Sequence, residues 1–280
     1  HEIPPNGQGI TALMALGILS HTRIRELNSD DPLAIHLQVE AIKLALVDAE
    51  TYVADDKYMS EVTSKNLLDE AYLARRAALI DETCAQDFKI GAPINGGTVY
   101  LTAADASGMM VSFIQSNYAG FGSGIAIPGT GITMQNRGAG FSLDPASPNV
   151  VGPKKRPFHT IIPGFLMGPN GPLMSFGVMG GPMQAQGHVQ MVLRTQVWGQ
   201  DPQMAVDAPR WRFVEGLKLA CEDVMPAATL KYLAQIGHLI ELEPPDNAFG
   251  FGGAQLLCRL ADGAYAAGSD PRKDGLAAGF

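Results

Sequence analysis

Gly96-Gly97-Thr98-Val99-Tyr100-Leu101-Thr102-Ala103-Ala104, followed by Asp105-Ala106-Ser107-Gly108 and Met109-Met110-Val111-Ser112-Phe113-Ile114, reads as a glycine pair opening onto a β-hairpin. Val99 to Ala104 is rich in β-formers, the Asp-Ala-Ser-Gly stretch is turn chemistry, and Met109 to Ile114 supplies the return strand. Thr98 therefore stands where free glycine backbone passes into rigid sheet. A threonine opening a strand is explained by β-propensity alone, so its meaning rests on the remainder of the chain.

That remainder describes a protein with a full core. Its 280 residues suffice for one or two domains, with 46% hydrophobic and 17% charged residues. Acidic residues outnumber basic ones 28 to 20, and with no basic stripe anywhere this argues against nucleic-acid binding. Apolar runs are broken by Gly, Pro or charge before membrane-spanning length, so no membrane association is expected. Cys84, Cys221 and Cys258 have neither paired nor metal-ligand spacing and are expected as buried free thiols. No motif asks for a metal or a cofactor. The chain begins at His1 without an initiator Met or a signal peptide, which predicts a processed or truncated product.

A helical front precedes a sheet-rich remainder. Helical spacing runs from Ile10 to Leu27. Asp31-Pro32 opens the clearest helix, with Ile35, Val39, Ile42 and Leu46 on one face, and Ser64 to Ile80 reads as a third. Thr83 to Gly97 is a connecting segment. Beyond Thr98, the loop clusters Gly120 to Gly124 and Pro128 to Gly131 are followed by expected strands at Thr160–Pro163 and Leu173–Val178. Gly180-Gly181-Pro182 then leads into a helix from Met183 to Val197, with later helices at Asp201-Pro202 and Pro226–Ile236. The last strands are expected at His238–Leu242, Gln255–Leu260 and Ala264–Ala267. Outer helices over several antiparallel pairs predict a layered α+β sandwich.

Thr98 to Asn117, Gly120 to Gly131, Lys155-Arg156-Pro157, Gly180-Gly181, Ala208-Pro209-Arg210 and Ser269-Asp270-Pro271-Arg272 resemble, in the same order, the γ-glutamyltransferase family of N-terminal nucleophile hydrolases. Residues 98–280 look like the family's small, catalytic subunit. Residues 1–97, with Pro4-Pro5-Asn6-Gly7-Gln8-Gly9, look like the closing part of its large subunit, the two forming one intertwined domain. Ser112 to Tyr118 is most similar to the γ-glutamyltransferase-like branch. The resemblance implies an αββα four-layer sandwich, an autocatalytically cleaved zymogen, and no cofactor. It also implies a small γ-glutamyl-type or glutaryl amide as substrate, with the two fragments remaining associated, and allows a homo-oligomer. An acylase-like amidase and an unprocessed, non-catalytic relative are the alternatives.

The chemistry implied by the resemblance can be placed residue by residue. Thr98 attacks the carbonyl of Gly97, an ester forms, and water frees a new N-terminus. The freed amine, with a reference pKa of about 8, serves as base for its own hydroxyl. Gly180 and Gly181 match the oxyanion-hole glycines; the simpler reading is a strand-to-helix turn that needs glycine. An alanine at either is expected to slow turnover while leaving thermal stability largely intact.

In the expected pocket, Asn117 matches a residue that contacts the γ-glutamyl group, and Gln115 stands where the family has a threonine orienting the nucleophile. Arg137 replaces a glutamine, and Gly140 replaces the aspartate that holds the substrate ammonium. His159 and Thr160 replace a serine pair. Arg137 adds a planar cation suited to carboxylate, or it pairs with Asp144. His36 and His188 read as structural histidines, and Asp55-Asp56 as a solvated helix end. Phe249-Gly250-Phe251-Gly252-Gly253 reads as a loop before a strand, since it lacks the lysine of a phosphate loop.

Overall fold

A computed structural model of the protein describes residues 1–91, 97–244 and 250–280. Gly96, Phe249 and the end of the connecting segment before Gly97 lie outside the described residues. The helical front is α1 (Gly9–Ser20), α2 (Pro32–Tyr52), α3 (Ser64–Leu67) and α4 (Glu70–Ala77). Asp31 caps α2 as expected, its carboxylate accepting from Leu33 N at 2.9 Å with Pro32 in the first turn. Two expected helices are shorter. The first ends at Ser20 and resumes only as a 3₁₀ turn at Ile24–Glu26. The third splits because Asp69 caps a new helix by accepting from Tyr72 N at 3.0 Å.

Three sheets follow. Strands β1 (Gly97–Ala104) and β2 (Met110–Tyr118) make the expected antiparallel hairpin. A four-stranded sheet has the order β3-β4-β8-β9, from β3 (Gly164–Gly168), β4 (Gly171–Met179), β8 (Gly253–Arg259) and β9 (Tyr265–Ser269). A three-stranded sheet joins β5 (Trp211–Glu215), β6 (Lys218–Glu222) and β7 (Leu239–Glu243), with β6 and β7 parallel. Between them lie α5 (Met183–Val192), continued by a π-helical turn at Leu193–Val197, α6 (Pro202–Asp207) and α7 (Ala227–Gln235).

The strand expected at Thr160–Pro163 starts at Gly164 instead. Pro163 has no N–H for a ladder, and Ile162 N donates to the Gln184 side chain at 3.2 Å. The β5–β6 hairpin was not expected from the sequence, because its buried positions include Arg212 and Glu222 and break the apolar alternation.

Period-two alternation fixes the layers. On β4, Gly177 faces the hairpin so closely that an added Cβ would lie 2.4 Å from the Tyr100 ring. Val178 faces the other way, 2.6 Å from where a Cβ on Gly187 of α5 would stand. Helix α5 thus lies on one face of a sheet whose other face carries the hairpin, with α1 and α2 packed on α5, giving the α, β and β layers of the expected sandwich. Residues 1–97 and 98–280 share one core: α1 packs on α5, and α2 packs on α7 and β5. Asn6 to Gln8 also run beside the pocket segment, with His159 N donating to Asn6 O (3.1 Å) and Gln8 N to His159 O (2.8 Å).

No helix among the described residues is long and apolar enough to cross a membrane. The three cysteines are free, but only Cys221 is buried; Cys84 is exposed and Cys258 half-buried. Cys84 lies in a polar turn after Asp81, where no core element covers it.

Candidate active site

Thr98 sits at an irregularity in the hairpin. Gly97 pairs with Tyr118 and Val99 with Gln115, so Ser116 and Asn117 together oppose Thr98. Such a bulge re-aims side chains and is common beside active sites. Tyr118 carries φ +79°, a strained value for a bulky residue. Beyond the bulge the alternation is regular: Tyr100 and Thr102 face the four-stranded sheet, and Val99 and Leu101 face outward. Thr102 Oγ1 hydrogen-bonds Ser175 Oγ, and Tyr100 lies over Gly177. Each step of two residues back along β1 is therefore a step of two forward along β4. Continued past Tyr100, this alignment runs towards Met179, one residue before Gly180, with the bulge at Thr98 interrupting the regular spacing.

Gly180 and Gly181 form the turn into α5. Their φ angles of +127° and +59° belong to the region that favours glycine. Their carbonyls accept from Met183 N (3.2 Å) and Gln184 N (3.0 Å), whereas neither glycine's own N–H donates a hydrogen bond among the described residues. Two buried, unspent donors at a helix start are what an oxyanion requires. The backbone angles correct one expectation: alanine at Gly180 is strained irrespective of chemistry, by about 1–3 kcal/mol, so stability does not stay intact.

Two supports of this turn were not legible in the sequence. Gln8 Nε2 donates both to Gly181 O (2.9 Å) and to Thr160 O (3.0 Å), tying the turn to the pocket wall. Gly252 backs onto the turn so closely that a Cβ would lie 2.3 Å from Met179 O. The glycine-rich loop is thus a close backbone contact behind Gly180.

A cavity of about 350 Å³ opens beside this turn, lined by Gln8, Tyr118, Arg137, Gly140, His159, Thr160 and Pro182. Leu46, Val53, Ile90, Phe141 and Phe158 supply apolar wall, and exposed Glu50 stands on its lining. Arg137 enters from a short 3₁₀ turn (Arg137–Gly140). Its Nη2 donates to Ser116 Oγ at 2.6 Å, and its guanidinium lies 5.6 Å from the Tyr118 ring centroid. Its Nη1 is buried without a partner, as is His159 Nδ1. Burial, with Arg137 and Arg156 nearby, pushes the His159 imidazole down to about 4, so it is neutral at pH 7.

The expected site residues are not all brought together. Thr160 and His159 line the cavity with Arg137. Thr98 is half-buried and is not part of its lining, while Tyr118, the register partner of the preceding Gly97, is. Asn117 pins the adjoining loop through Thr133 Oγ1 (3.1 Å) and Asn136 N (3.1 Å). Gln115 is exposed on the outer face opposite Val99, because alternation turns it away; Ser116 occupies the inner position instead. Asp144 Oδ1 accepts from Ala146 N at 2.9 Å, and among the described residues it makes no ion pair with Arg137.

The gamma-glutamyltranspeptidase family model matches residues 1–280. The chain belongs to the gamma-glutamyltranspeptidase family. It is 32% identical to the glutathione hydrolase-like YwrD proenzyme of Bacillus subtilis and 35% identical to the oxamate amidohydrolase proenzyme of Klebsiella pneumoniae, each over 100% of this chain. It spans 54% and 53% of those relatives, about half their length. Among solved structures, a cephalosporin acylase from Bacillus halodurans superposes with a TM-score of 0.90 at 44% identity, covering 100% of this chain and 50% of that one. The neighbouring folds are those of N-terminal nucleophile hydrolases, in keeping with the α+β sandwich.

Three of the six stretches that carried the sequence resemblance form two clamps. Arg210 of Ala208-Pro209-Arg210 and Arg272 of Ser269-Asp270-Pro271-Arg272 meet around Asp270 and Glu222. Arg210 Nη2 lies 2.6 Å from Asp270 Oδ2, Arg272 Nη1 lies 3.1 Å from Asp270 Oδ1, and Arg272 Nε bonds Glu222. Burial pushes the Asp270 carboxyl up, but Arg210 and Arg272 outweigh it and hold it below the usual range. Arg210 also donates to Phe251 O at 3.1 Å, next to Gly252, so the clamp reaches the back of the Gly180–Gly181 turn.

Lys155-Arg156-Pro157 makes the second clamp. Arg156 bonds Asp55 through its backbone N (3.0 Å) and guanidinium (3.0 and 3.2 Å), holding that carboxyl at about 2. Asp55 is therefore an anchor for the pocket segment and not the solvated helix end expected.

The histidines are structural, as read. His188 Nδ1 bonds Glu2 at 2.6 Å, and its Nε2 accepts from Val178 N at 3.3 Å. His36 Nε2–H donates to Asp81 O at 2.8 Å, and its Nδ1 accepts from His238 Nε2 at 2.9 Å. His36, Glu40 and His238 bring potential metal donors within 4.8 Å of one another, but Lys43 Nζ already occupies Glu40 at 2.7 Å and its charge opposes a cation.

Proposed function

We propose that this chain is the catalytic half of a self-processing amide hydrolase or acyltransferase with Thr98 as nucleophile, residues 98–280 being the small subunit and residues 1–97 the end of the large one. The observation that supports the reading is the Gly180–Gly181 turn at the end of β4, towards which β1 runs from Thr102 and Tyr100, and whose own N–H groups donate no hydrogen bond among the described residues. In the precursor the Thr98 hydroxyl attacks the Gly97 carbonyl, transferring the Gly97 acyl group from nitrogen to oxygen. Water then hydrolyses that ester, releasing the Gly97 carboxylate and the Thr98 amine. The amine next takes the proton from its own hydroxyl as the oxygen attacks a substrate amide, and the Gly180 and Gly181 N–H groups hold the developing oxyanion. The amide nitrogen leaves with a proton, and water or an acceptor amine resolves the acyl-enzyme. The fragments stay together through the core they share.

The family's γ-glutamyl-type amides are the first candidate substrates, and one observation speaks for the acylase-like alternative. Gly140, where the family carries its ammonium-binding aspartate, would place a Cβ 2.2 Å from Phe158 O, so no acid fits there. Two relatives, a cephalosporin acylase and an oxamate amidohydrolase, carry names with substrates other than γ-glutamyl compounds.

Brief mixing with a p-nitroanilide donor, acid quench and mass spectrometry should show the acyl group on the peptide that begins at Thr98. Release of p-nitroaniline with an adduct on any other residue would overturn the assignment.

A further inference from the structure

We propose that Gln8 is a positioning residue of the active site: its carboxamide holds the Gly180–Gly181 turn in the conformation that leaves both glycine N–H groups free for the oxyanion. Because residue 8 precedes the Gly97–Thr98 bond, the cut enzyme receives this brace from the other fragment. This deepens the Thr98 reading above and rests on it for the reaction served.

The turn needs holding from outside. Two successive glycines at φ +127° and +59° have wide backbone freedom and no side chains to fix them. The start of α5 supplies Met183 N to Gly180 O and Gln184 N to Gly181 O. Gln8 supplies the only side-chain hydrogen bond to the pair among the described residues, from Nε2 to Gly181 O at 2.9 Å. A carboxamide nitrogen carries two hydrogens, and the second goes to Thr160 O at 3.0 Å. Gln8 is 1% exposed, and both bonds are buried. Without the carboxamide, Thr160 O loses its donor and the turn keeps only the bonds of its own helix.

Gln8 is itself fixed by bonds that cross from residues 1–97 to residues 98–280. Phe165 N donates to His1 O (3.0 Å), His159 N to Asn6 O (3.1 Å), Asn6 Nδ2 to Pro157 O (2.5 Å) and Gln8 N to His159 O (2.8 Å). Glu2 accepts from His188 Nδ1, which fixes the tautomer whose Nε2 accepts from Val178 N, two residues before Gly180. Residues 1–8 thus lie as a strap on the second fragment, with one end at Phe165 and the other at the turn. Gln8 O accepts from Thr11 N at 2.9 Å, joining the strap to α1, and α1 packs on α5 directly behind the glycines.

The test compares the full chain with Gln8→Met, which keeps the side chain's length and removes both bonds, and Gln8→Glu, which donates only while protonated. Hydrolysis of γ-glutamyl and glutaryl p-nitroanilides is read per cut chain, as counted by intact mass. Gln8→Met should lose between about tenfold and about a hundredfold in kcat, the scale of a small misplacement in a preorganised site, with KM changed less than about threefold. A buried acid facing two carbonyl oxygens favours its protonated form. Gln8→Glu should therefore keep part of the activity at low pH and lose it relative to wild type as pH rises. The other groups nearby, Glu50, Arg137 and His159 on the cavity and Glu2 with His188 beside α5, are common to both chains and cancel from that ratio. An unchanged kcat in Gln8→Met overturns the proposal, as does a raised KM at unchanged kcat, which places the role in the Thr160 wall. A Gln8→Glu ratio that stays flat with pH overturns it too, and decides alone if Gln8→Met accumulates uncut. A wild type that stays uncut and releases no p-nitroaniline fails the Thr98 reading and takes this proposal with it; an active wild type indifferent to residue 8 fails this one alone.

Discussion

Thr98→Ala should yield a single uncut chain that turns over no amide. The substitution removes the hydroxyl that attacks Gly97 and so also prevents the release of the amine that serves as base; two functions disappear with one oxygen. Losing a nucleophile that acts as a unit with its base costs roughly 10⁴-fold or more. Thr98→Ser keeps the oxygen and should still cleave, with activity intermediate between the two. The fold should survive both changes, since Thr98 makes no side-chain hydrogen bond among those found in the structure and the hairpin is held by Tyr100, Thr102 and Ser112. If Thr98→Ala still splits at the Gly97–Thr98 bond, the assignment is wrong.

Asp270→Asn should strongly destabilise the fold. The carboxylate is fully buried between Arg210 and Arg272, and it also accepts from Ala254 N at 2.7 Å. Replacing it with a neutral amide leaves the buried Arg210 guanidinium without its carboxylate, since Glu222 is bonded by the Arg272 guanidinium and, from Arg210, only by the backbone N. Breaking a buried pair in this way costs about 3–5 kcal/mol. Because Arg210 also holds Phe251 O beside Gly252, the Gly180–Gly181 turn should loosen and kcat should fall with stability. Urea unfolding of the variant against the parent checks it; a difference below about 1 kcal/mol would show that the clamp does not carry the sheet.

The hairpin and the capped α2 were legible because their signals are local: period-two β-formers around a turn, and an aspartate before a proline. The two clamps were legible only as motifs. Arg210 and Asp270 are far apart in the chain, and nothing in either short motif says that they face each other. The same distance hid Gln8, whose side chain reaches Gly181 and Thr160, and Asp55, which looked solvated until Arg156 was seen to bond it. Charges inside β5 and β6 masked that hairpin from an apolar pattern.

The pocket was misread by one residue at β2. Gln115 was expected inside, yet the alternation turns it outward and presents Ser116, which then anchors Arg137. A bulge opposite Thr98 shifts the register there, and its position depends on the pairing of two strands, which a single strand's sequence does not encode. The identity of Arg137 as the pocket's cation was readable, whereas its vacant Nη1 was not.

The central claim, that Thr98 becomes an N-terminus, is tested most directly by intact-mass analysis of the purified wild-type chain under denaturing conditions. The account predicts two fragments that part at the Gly97–Thr98 bond, the larger beginning with a free threonine amine. A stable, fully active protein that remains one uncut chain, or that is cut at any other bond, would contradict it.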